Sequence, residues 1–177
     1  MELLFRPAHS KDADAIEKIY AHHVLNGTAS FDTVPRTLAE TQERIAAITA
    51  KGWPFIVAES SETVVGYAYA TQFRERAAYG STCENSIYVL ADRRGSGIGA
   101  ALLRELVQQA TTCGFRQMIA VIGGGEPASI AVHKKLGFTH AGLMKSVGRK
   151  KGKWLDTIYM QVALGEGDDS APDIEPT

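Results

Sequence analysis

Cysteine is scarce in this chain of 177 residues: Cys83 and Cys113 are the only two, with no Cys-x-x-Cys pair. That excludes a disulfide framework, and packing is the simplest use for both. No apolar run approaches the roughly 20 residues that span a bilayer. The start, Met1-Glu-Leu-Leu-Phe-Arg6, carries an early acid and no long apolar segment, unlike a signal peptide. A cytoplasmic protein without membrane contact is expected. There is no clustered Lys/Arg stripe of the kind that tracks nucleic acid, so that partner is disfavoured. His22 and His23 are adjacent and lack metal-ligand spacing, so no metal is expected.

What remains is a globular composition, 45% hydrophobic and 22% charged, which excludes wholesale disorder, collagen-like repeats and coiled coils. The length suits one α/β domain and is too short for two ordinary ones. Charge is unevenly spread. Residues 165–177 hold five acids and no base, which leaves 15 acids against 19 bases over residues 1–164. The chain is therefore expected to be one domain over 1–164 followed by an acidic, disordered tail over 165–177.

Hydrophobic spacing outlines the elements. Leu3–Pro7 reads as a strand, Ser10 to about Leu25 as a helix, and Thr37-Leu-Ala-Glu40 as a capping box opening a second helix that stops near Gly52. Phe55–Ala58 and Val64–Tyr69 form an antiparallel pair joined by a polar turn. Ser86–Leu90 is a further strand, about Gly97 to Cys113 a helix, and Gln117–Ile122 an apolar strand covered on both faces. A short helix from Pro127 or Ala128 to Leu136 precedes two strands near 141–148 and 154–163. This order implies a mixed sheet covered by helices, with a parallel β-α-β crossover in its middle.

The most informative stretch runs from Tyr88 to Leu103, where Gly95, Gly97 and Gly99 join a strand to an amphipathic helix. Without Cβ atoms, main-chain N–H groups there can turn toward a phosphate, and the helix start favours an anion. A loop whose glycines serve turn geometry alone is the plain alternative. Gly95-Ser-Gly97-Ile-Gly-Ala100 formally fits the dinucleotide pattern, but no acid ends the next strand to hold a ribose. A P-loop is excluded because no Gly-Lys-Ser/Thr follows.

Arg94-x-x-Gly97-x-Gly99 after a strand and opening a helix resembles the acetyl-CoA pyrophosphate loop of the GCN5-related N-acetyltransferase (GNAT) superfamily. Arg74-Glu-Arg76-Ala-Ala-Tyr79, Glu84-Asn-Ser-Ile-Tyr88-Val, Ala120-Val-Ile-Gly123, Ser129-Ile-Ala-Val-His133, Leu136-Gly-Phe138 and Gly152-Lys-Trp154-Leu-Asp156 follow in order. With Asn26 to Pro35, they resemble the phosphinothricin and methionine sulfoximine N-acetyltransferases over about residues 4–163. The resemblance implies the GNAT fold: a mixed, mostly antiparallel sheet, a central parallel β-α-β unit for acetyl-CoA, and helices on both faces. It also implies a homodimer and, through phosphinothricin, herbicide resistance.

Acetyl transfer to an amine poses three problems. A protonated amine (pKa about 10) must lose a proton, the carbonyl oxygen needs a preorganised donor as it gains charge, and the leaving thiolate benefits from an acid. Glu84, read as lying just before its strand, is the candidate general base, acting through water, and the resemblance puts the family's catalytic carboxylate there. On residues alone, a surface carboxylate partnered by a nearby arginine is the plain alternative. His133 stands where many superfamily members have a tyrosine acid; this subfamily shares the histidine, and a structural histidine is the other reading.

The resemblance implies that Ile87, Tyr88 and Val89 offer main-chain groups to the pantetheine arm as if to an added strand, with the Val89 N–H as donor to the thioester oxygen. It implies that Arg94, Gly95, Ser96, Gly97, Ile98, Gly99 and Ala100 hold the pyrophosphate, with Glu126 and Ser129 also at the cofactor. Glu126 departs from the family's usual Asn, and a carboxylate cannot donate as an amide does. Arg74, Arg76 and Tyr79 stand where the family binds the acidic end of the amino acid, arginine being suited to a two-oxygen anion; a solvated charged loop is the alternative. Phe31 and Lys150 are further candidates for the same site.

The expected function is transfer of acetyl from acetyl-CoA to a small methionine- or glutamate-like amino acid, such as L-phosphinothricin, methionine sulfoximine or methionine sulfone. The alternatives are acetylation of protein N-termini or other amines, and a CoA-binding module without catalysis, which would need the loop but not Glu84.

Overall fold

Alternation along two neighbouring strands decides how the helices stack. In the computed structural model, which describes residues 2–173, the strands are β1 (Leu4–Pro7), β2 (Phe55–Ser60), β3 (Thr63–Gln72), β4 (Thr82–Val89), β5 (Gln117–Gly123), β6 (Thr139–Lys150) and β7 (Lys153–Ala163). The helices are α1 (Ala13–Asn26), α2 (Leu38–Ala50), α3 (Ile98–Thr112) and α4 (Pro127–Lys135). Phe55, Val57, Tyr67 and Tyr69 pack with Ile16, Ile19 and Tyr20 of α1 and Ile45 and Ile48 of α2. The residues between them, Ile56, Ala58, Ala68 and Ala70, pack with Ile98, Leu102, Leu103 and Leu106 of α3. Period-two alternation thus sends aromatic rings to one face and small side chains to the other, so two apolar clusters sandwich one sheet.

The seven strands are ordered β1-β2-β3-β4-β5-β7-β6. Every neighbouring pair is antiparallel except β4 and β5, which are parallel and connected through α3. This is the expected mixed sheet with its central β-α-β unit and helices on both faces.

Several boundaries differ from expectation for tertiary reasons. β4 begins at Thr82 rather than Ser86, so Glu84 lies inside the strand and not before it. The polar run Thr-Cys-Glu-Asn carries no strand signal of its own; β3 on one side and β5 on the other hold it extended, through Gln72↔Cys83 and Cys83↔Met118. The first helix does not start at Ser10. Ser10–Asp12 form a separate 3-10 turn before α1. There the Arg6 guanidinium reaches both Asp12 oxygens at 2.7 and 2.8 Å and donates through Nε to Glu59 at 2.9 Å, holding the buried Asp12 carboxyl below its ordinary range. The capping box forms as expected, with the Thr37 N–H donating to Glu40 at 2.7 Å and the Glu40 N–H to Thr37 Oγ1 at 3.3 Å.

β6 and β7 are longer than their apolar patterns because β6 is an exposed edge strand, bulged between His140 and Gly142 and between Met144 and Gly148. The acidic tail runs, as far as Asp173, through turns along the body: Arg116 donates to the Ala171 carbonyl at 2.9 Å and pairs with Glu166 at 3.6 Å. Residues 174–177 of the expected tail lie outside the described residues. No described helix is long and apolar enough to cross a membrane.

Candidate active site

The parallel pair opens. Main-chain pairing of β4 with β5 ends at Asn85↔Ala120, although β4 continues to Val89 and β5 to Gly123. Each strand keeps its outer partner to the end, β4 with β3 through Val89↔Gly66 and β5 with β7 through Gly123↔Thr157. Their inner edges diverge around a cleft of about 340 Å³, walled by Asn85, Ser86, Ile87 and Tyr88 on one side and Ala120 to Gly123 on the other. Unpaired strand edges of this kind can accept an extended ligand bearing its own amides. Ile87 and Tyr88 stand in the wall. Val89 lies just beyond it, where its carbonyl accepts a 2.8 Å hydrogen bond from His23 Nε2 of α1. Burial lowers the pKa of that imidazole, against the opposing Val89 hydrogen bond.

Beyond Val89 the chain makes a short 3-10 turn (Ala91–Arg93) and enters the glycine loop. Gly95 (φ +77°) and Gly97 (φ +87°) occupy left-handed backbone that costs an L-residue about 1–2 kcal/mol. Gly97 is the N-cap of α3 and contributes no capping side chain, so the N–H groups of Ile98, Gly99 and Ala100 at the helix start are left for a ligand. Gly99 is already helical, and a Cβ there would make only an ordinary 3.7 Å contact with Val89. Ser96 Oγ donates to the Arg93 carbonyl, and the exposed Arg94 rests by Nε on the Ala91 carbonyl at 3.4 Å. The loop's donors and positive helix end fit a diphosphate.

The two catalytic candidates approach from opposite faces of the sheet. Glu84, opposite Thr71 of β3, shares the α1/α2 face with Tyr69 and lines the cleft. Burial raises its carboxyl above the ordinary range, opposed by the charges of Arg74 and Arg44. Asn85, next along the strand, points to the α3/α4 side, where its Oδ1 lies 3.1 Å from His133 Nε2. His133 is buried and also lines the cleft. Its Nδ1–H donates to the Ser129 carbonyl at 2.8 Å, which leaves Nε2 as the nitrogen that gains or loses a proton. Desolvation lowers the His133 pKa, opposed by the hydrogen bond to the Ser129 carbonyl. Ser129 lines the cleft beside it; Glu126 is the N-cap of α4, without a side-chain cap bond.

The substrate candidates separate. Phe31 is in the cleft, its ring held between Gly123 and Gly148 so closely that a Cβ on the first would come within 2.7 Å of it and one on the second closer still. Lys150 is buried beneath the same loop and donates to the Ser30 carbonyl at 2.7 Å, so it anchors the loop without lining the cleft. Arg74, Arg76 and Tyr79 are exposed and outside the wall: Arg74 lies 4.2 Å over the Phe73 ring, and Gln72 donates to the carbonyls of Arg74 and Arg76.

Sequence reasoning missed Tyr20, Asp32, Arg36, Arg44 and Tyr69, all of which line the cleft on the Glu84 side. Tyr20 donates to Asp32, and Arg36 lies 4.0 Å over the Tyr20 ring and 3.6 Å from Asp32; burial, with Asp32 adding, pushes the Tyr20 phenol up to about 12. Arg44 of α2 lies 4.8 Å over Tyr69 and donates to its hydroxyl at 3.1 Å. No local pattern marks these residues, since an arginine on an amphipathic helix ordinarily faces water. Among the described residues no three His, Cys, Asp or Glu side chains group as metal ligands.

Residues 5–159 match the family described as acetyltransferase (GNAT) domain. A phosphinothricin N-acetyltransferase of Alcaligenes faecalis is 44% identical, covering 95% of this chain and 86% of that protein. An L-methionine sulfoximine/L-methionine sulfone acetyltransferase of Pseudomonas paraeruginosa is 38% identical over 93% of this chain and 96% of its own. Among solved structures, a GNAT superfamily phosphinothricin acetyltransferase of Sinorhizobium meliloti in complex with AcCoA superposes with a TM-score of 0.95 at 50% identity, covering 97% of this chain and 94% of that one.

Proposed function

Because the chain belongs to the GNAT acetyltransferase family and is an acetyl-CoA-dependent N-acetyltransferase, we propose that its acceptor is the α-amine of a small methionine- or glutamate-like amino acid. L-Phosphinothricin, methionine sulfoximine and methionine sulfone are the expected acceptors, as the names of its relatives suggest. The observation that carries this reading is Glu84, a half-buried carboxylate with a raised pKa, set in the cleft beside arginines.

Acetyl-CoA supplies the acetyl group and a thiolate leaving group; the chain supplies alignment and proton transfer. The glycine loop and the start of α3 hold the diphosphate, and the open edges of β4 and β5 align the arm that reaches the cleft. Glu84, through a water, takes a proton from the acceptor ammonium, which has no free lone pair until it loses one. The Val89 N–H donates to the thioester oxygen as charge develops on it. His133 acts in its doubly protonated form, Nδ1–H on the Ser129 carbonyl and Nε2–H toward the Asn85 oxygen, and gives the Nε2 proton to the leaving sulfur as the carbon–sulfur bond breaks. Base and acid on opposite faces of the sheet suit a direct transfer, the amine arriving from one side and the thiol leaving toward the other. Arg74, Arg76 and Tyr79 lie outside the cleft wall and Lys150 beneath it, so they act at the rim or through the Phe31 loop.

We also infer a homodimer. The edge formed by β6 and β7 exposes Leu143, Met144, Val147 and Trp154, an apolar stretch that a second copy would cover.

The test is thiol release from acetyl-CoA across a panel of free amino acids and peptides. Turnover on methionine sulfone, methionine sulfoximine and phosphinothricin, well above that on peptides, is expected. Response to peptide N-termini alone would overturn the substrate class.

A further inference from the structure

Two arginines line the cleft on the Glu84 side, and only one has its charge answered. Arg36 sits against Asp32 and receives the Tyr20 ring. Arg44 has no carboxylate within ion-pair distance among the described residues. Its Nη2 is tied to the Tyr69 hydroxyl, and its Nε is buried with no hydrogen-bond partner among the described residues. Buried donors are ordinarily satisfied, so an orphan on a cleft wall asks what fills it. Tyr69, which aims the guanidinium, and Glu84 stand on the same face of the sheet. The cleft therefore offers an anion and a cation on one wall. An amino-acid zwitterion presents the complementary pair.

We propose that Arg44 is a specificity-determining residue that receives a two-oxygen anion of the acceptor, with Tyr69 as its positioning residue. The inference deepens the substrate reading given above and rests on it. The planar fork of arginine suits a carboxylate or a phosphinate, so the α-carboxylate and the acidic side chain of phosphinothricin are the two sources to separate. Arg36, already engaged, is not expected to serve.

Three acceptors decide it: L-methionine sulfone, whose α-carboxylate is its one anion; its α-amide, which has none; and L-phosphinothricin, which has both. A charge-assisted bond to arginine corresponds to roughly 10- to 100-fold in affinity. Arg44→Met is expected to raise KM for methionine sulfone by that factor, to change kcat/KM for the amide less than about threefold, and to leave the KM of acetyl-CoA in place. Loss confined to phosphinothricin would assign Arg44 to the phosphinate and still support the inference. Arg44→Lys, which keeps the charge and loses the fork, should fall between, and Tyr69→Phe should weaken the acid-over-amide preference. Equal loss on acid and amide, or no loss on any acceptor, overturns the proposal. If Arg44→Met fails to fold, Arg44→Lys decides: an unchanged acid-over-amide preference refutes it. A wild-type enzyme inactive on both amino acids would instead refute the substrate reading.

Discussion

Replacing Glu84 by glutamine tests the chemistry most directly, because it removes a proton acceptor while keeping shape and volume. Among the described residues the only other carboxylate in the cleft wall, Asp32, is engaged by Tyr20 and Arg36, so none of them stands ready to take over. The full contribution of a general base should therefore be lost, roughly 100- to 10,000-fold in kcat, or about 3 to 5 kcal/mol of barrier at about 1.4 kcal/mol per decade. Acetyl-CoA should bind as before, since the strand edges and glycine loop are untouched. Burial places the Glu84 pKa above the ordinary carboxylate range, and the working form is the deprotonated one. Wild-type kcat/KM should therefore fall as pH drops through that raised value, and this acid limb should vanish in the variant. Stability moves the other way. The folded chain holds the Glu84 proton more tightly than the unfolded chain, so the stabilising effect of protonation is complete below the unfolded pKa and lost as pH rises through the folded one. At pH 7 the buried charge is a burden that glutamine lacks. Glu84→Gln should unfold no more easily than wild type there, with any advantage shrinking toward pH 4. Steady-state kinetics, isothermal titration with acetyl-CoA and denaturant unfolding at both pH values measure all of this. Equal loss of turnover and acetyl-CoA affinity, or retention of turnover within about tenfold, would refute the role given to Glu84.

Gly97→Ala forces an L-residue to φ +87°; at about 1–2 kcal/mol, acetyl-CoA affinity should weaken roughly 5- to 30-fold with the acceptor KM little changed, and unaltered binding by titration would refute the loop geometry. Gly148→Ala drives a methyl into the Phe31 ring, so acceptor KM should rise roughly tenfold, in line with the cost of overpacking, while acetyl-CoA KM holds; identical acceptor kinetics would show that Phe31 does not shape that site. Leu143→Glu combined with Trp154→Glu places charge on the exposed β6/β7 face and should convert a dimer to monomer in sedimentation velocity; an unchanged distribution would move the interface elsewhere.

Elements whose signal is local are legible in the sequence. The Thr37–Glu40 box and the apolar stripe of α3 depend on neighbours within a few residues, and each is found where its pattern lies. The glycine loop and Glu84 stood out as candidates because several motifs together resemble those of one family. The start of β4 was not readable, because Thr82 to Asn85 are polar and are held extended by two other strands.

Local chemistry along the chain was sufficient to mark a candidate phosphate-binding turn, an order of elements and a candidate carboxylate, since helix caps, strand alternation and glycine backbone are governed over short distances. Packing alone decided that β4 and β5 part after Asn85, that Glu84 and His133 face the gap from opposite sides, and that Arg36 and Arg44 join Glu84 while Arg74 and Arg76 stay outside. Those relations join residues as much as 49 positions apart, as Glu84 and His133 are. They depend on which face of a sheet a helix covers, and no neighbour in sequence records it.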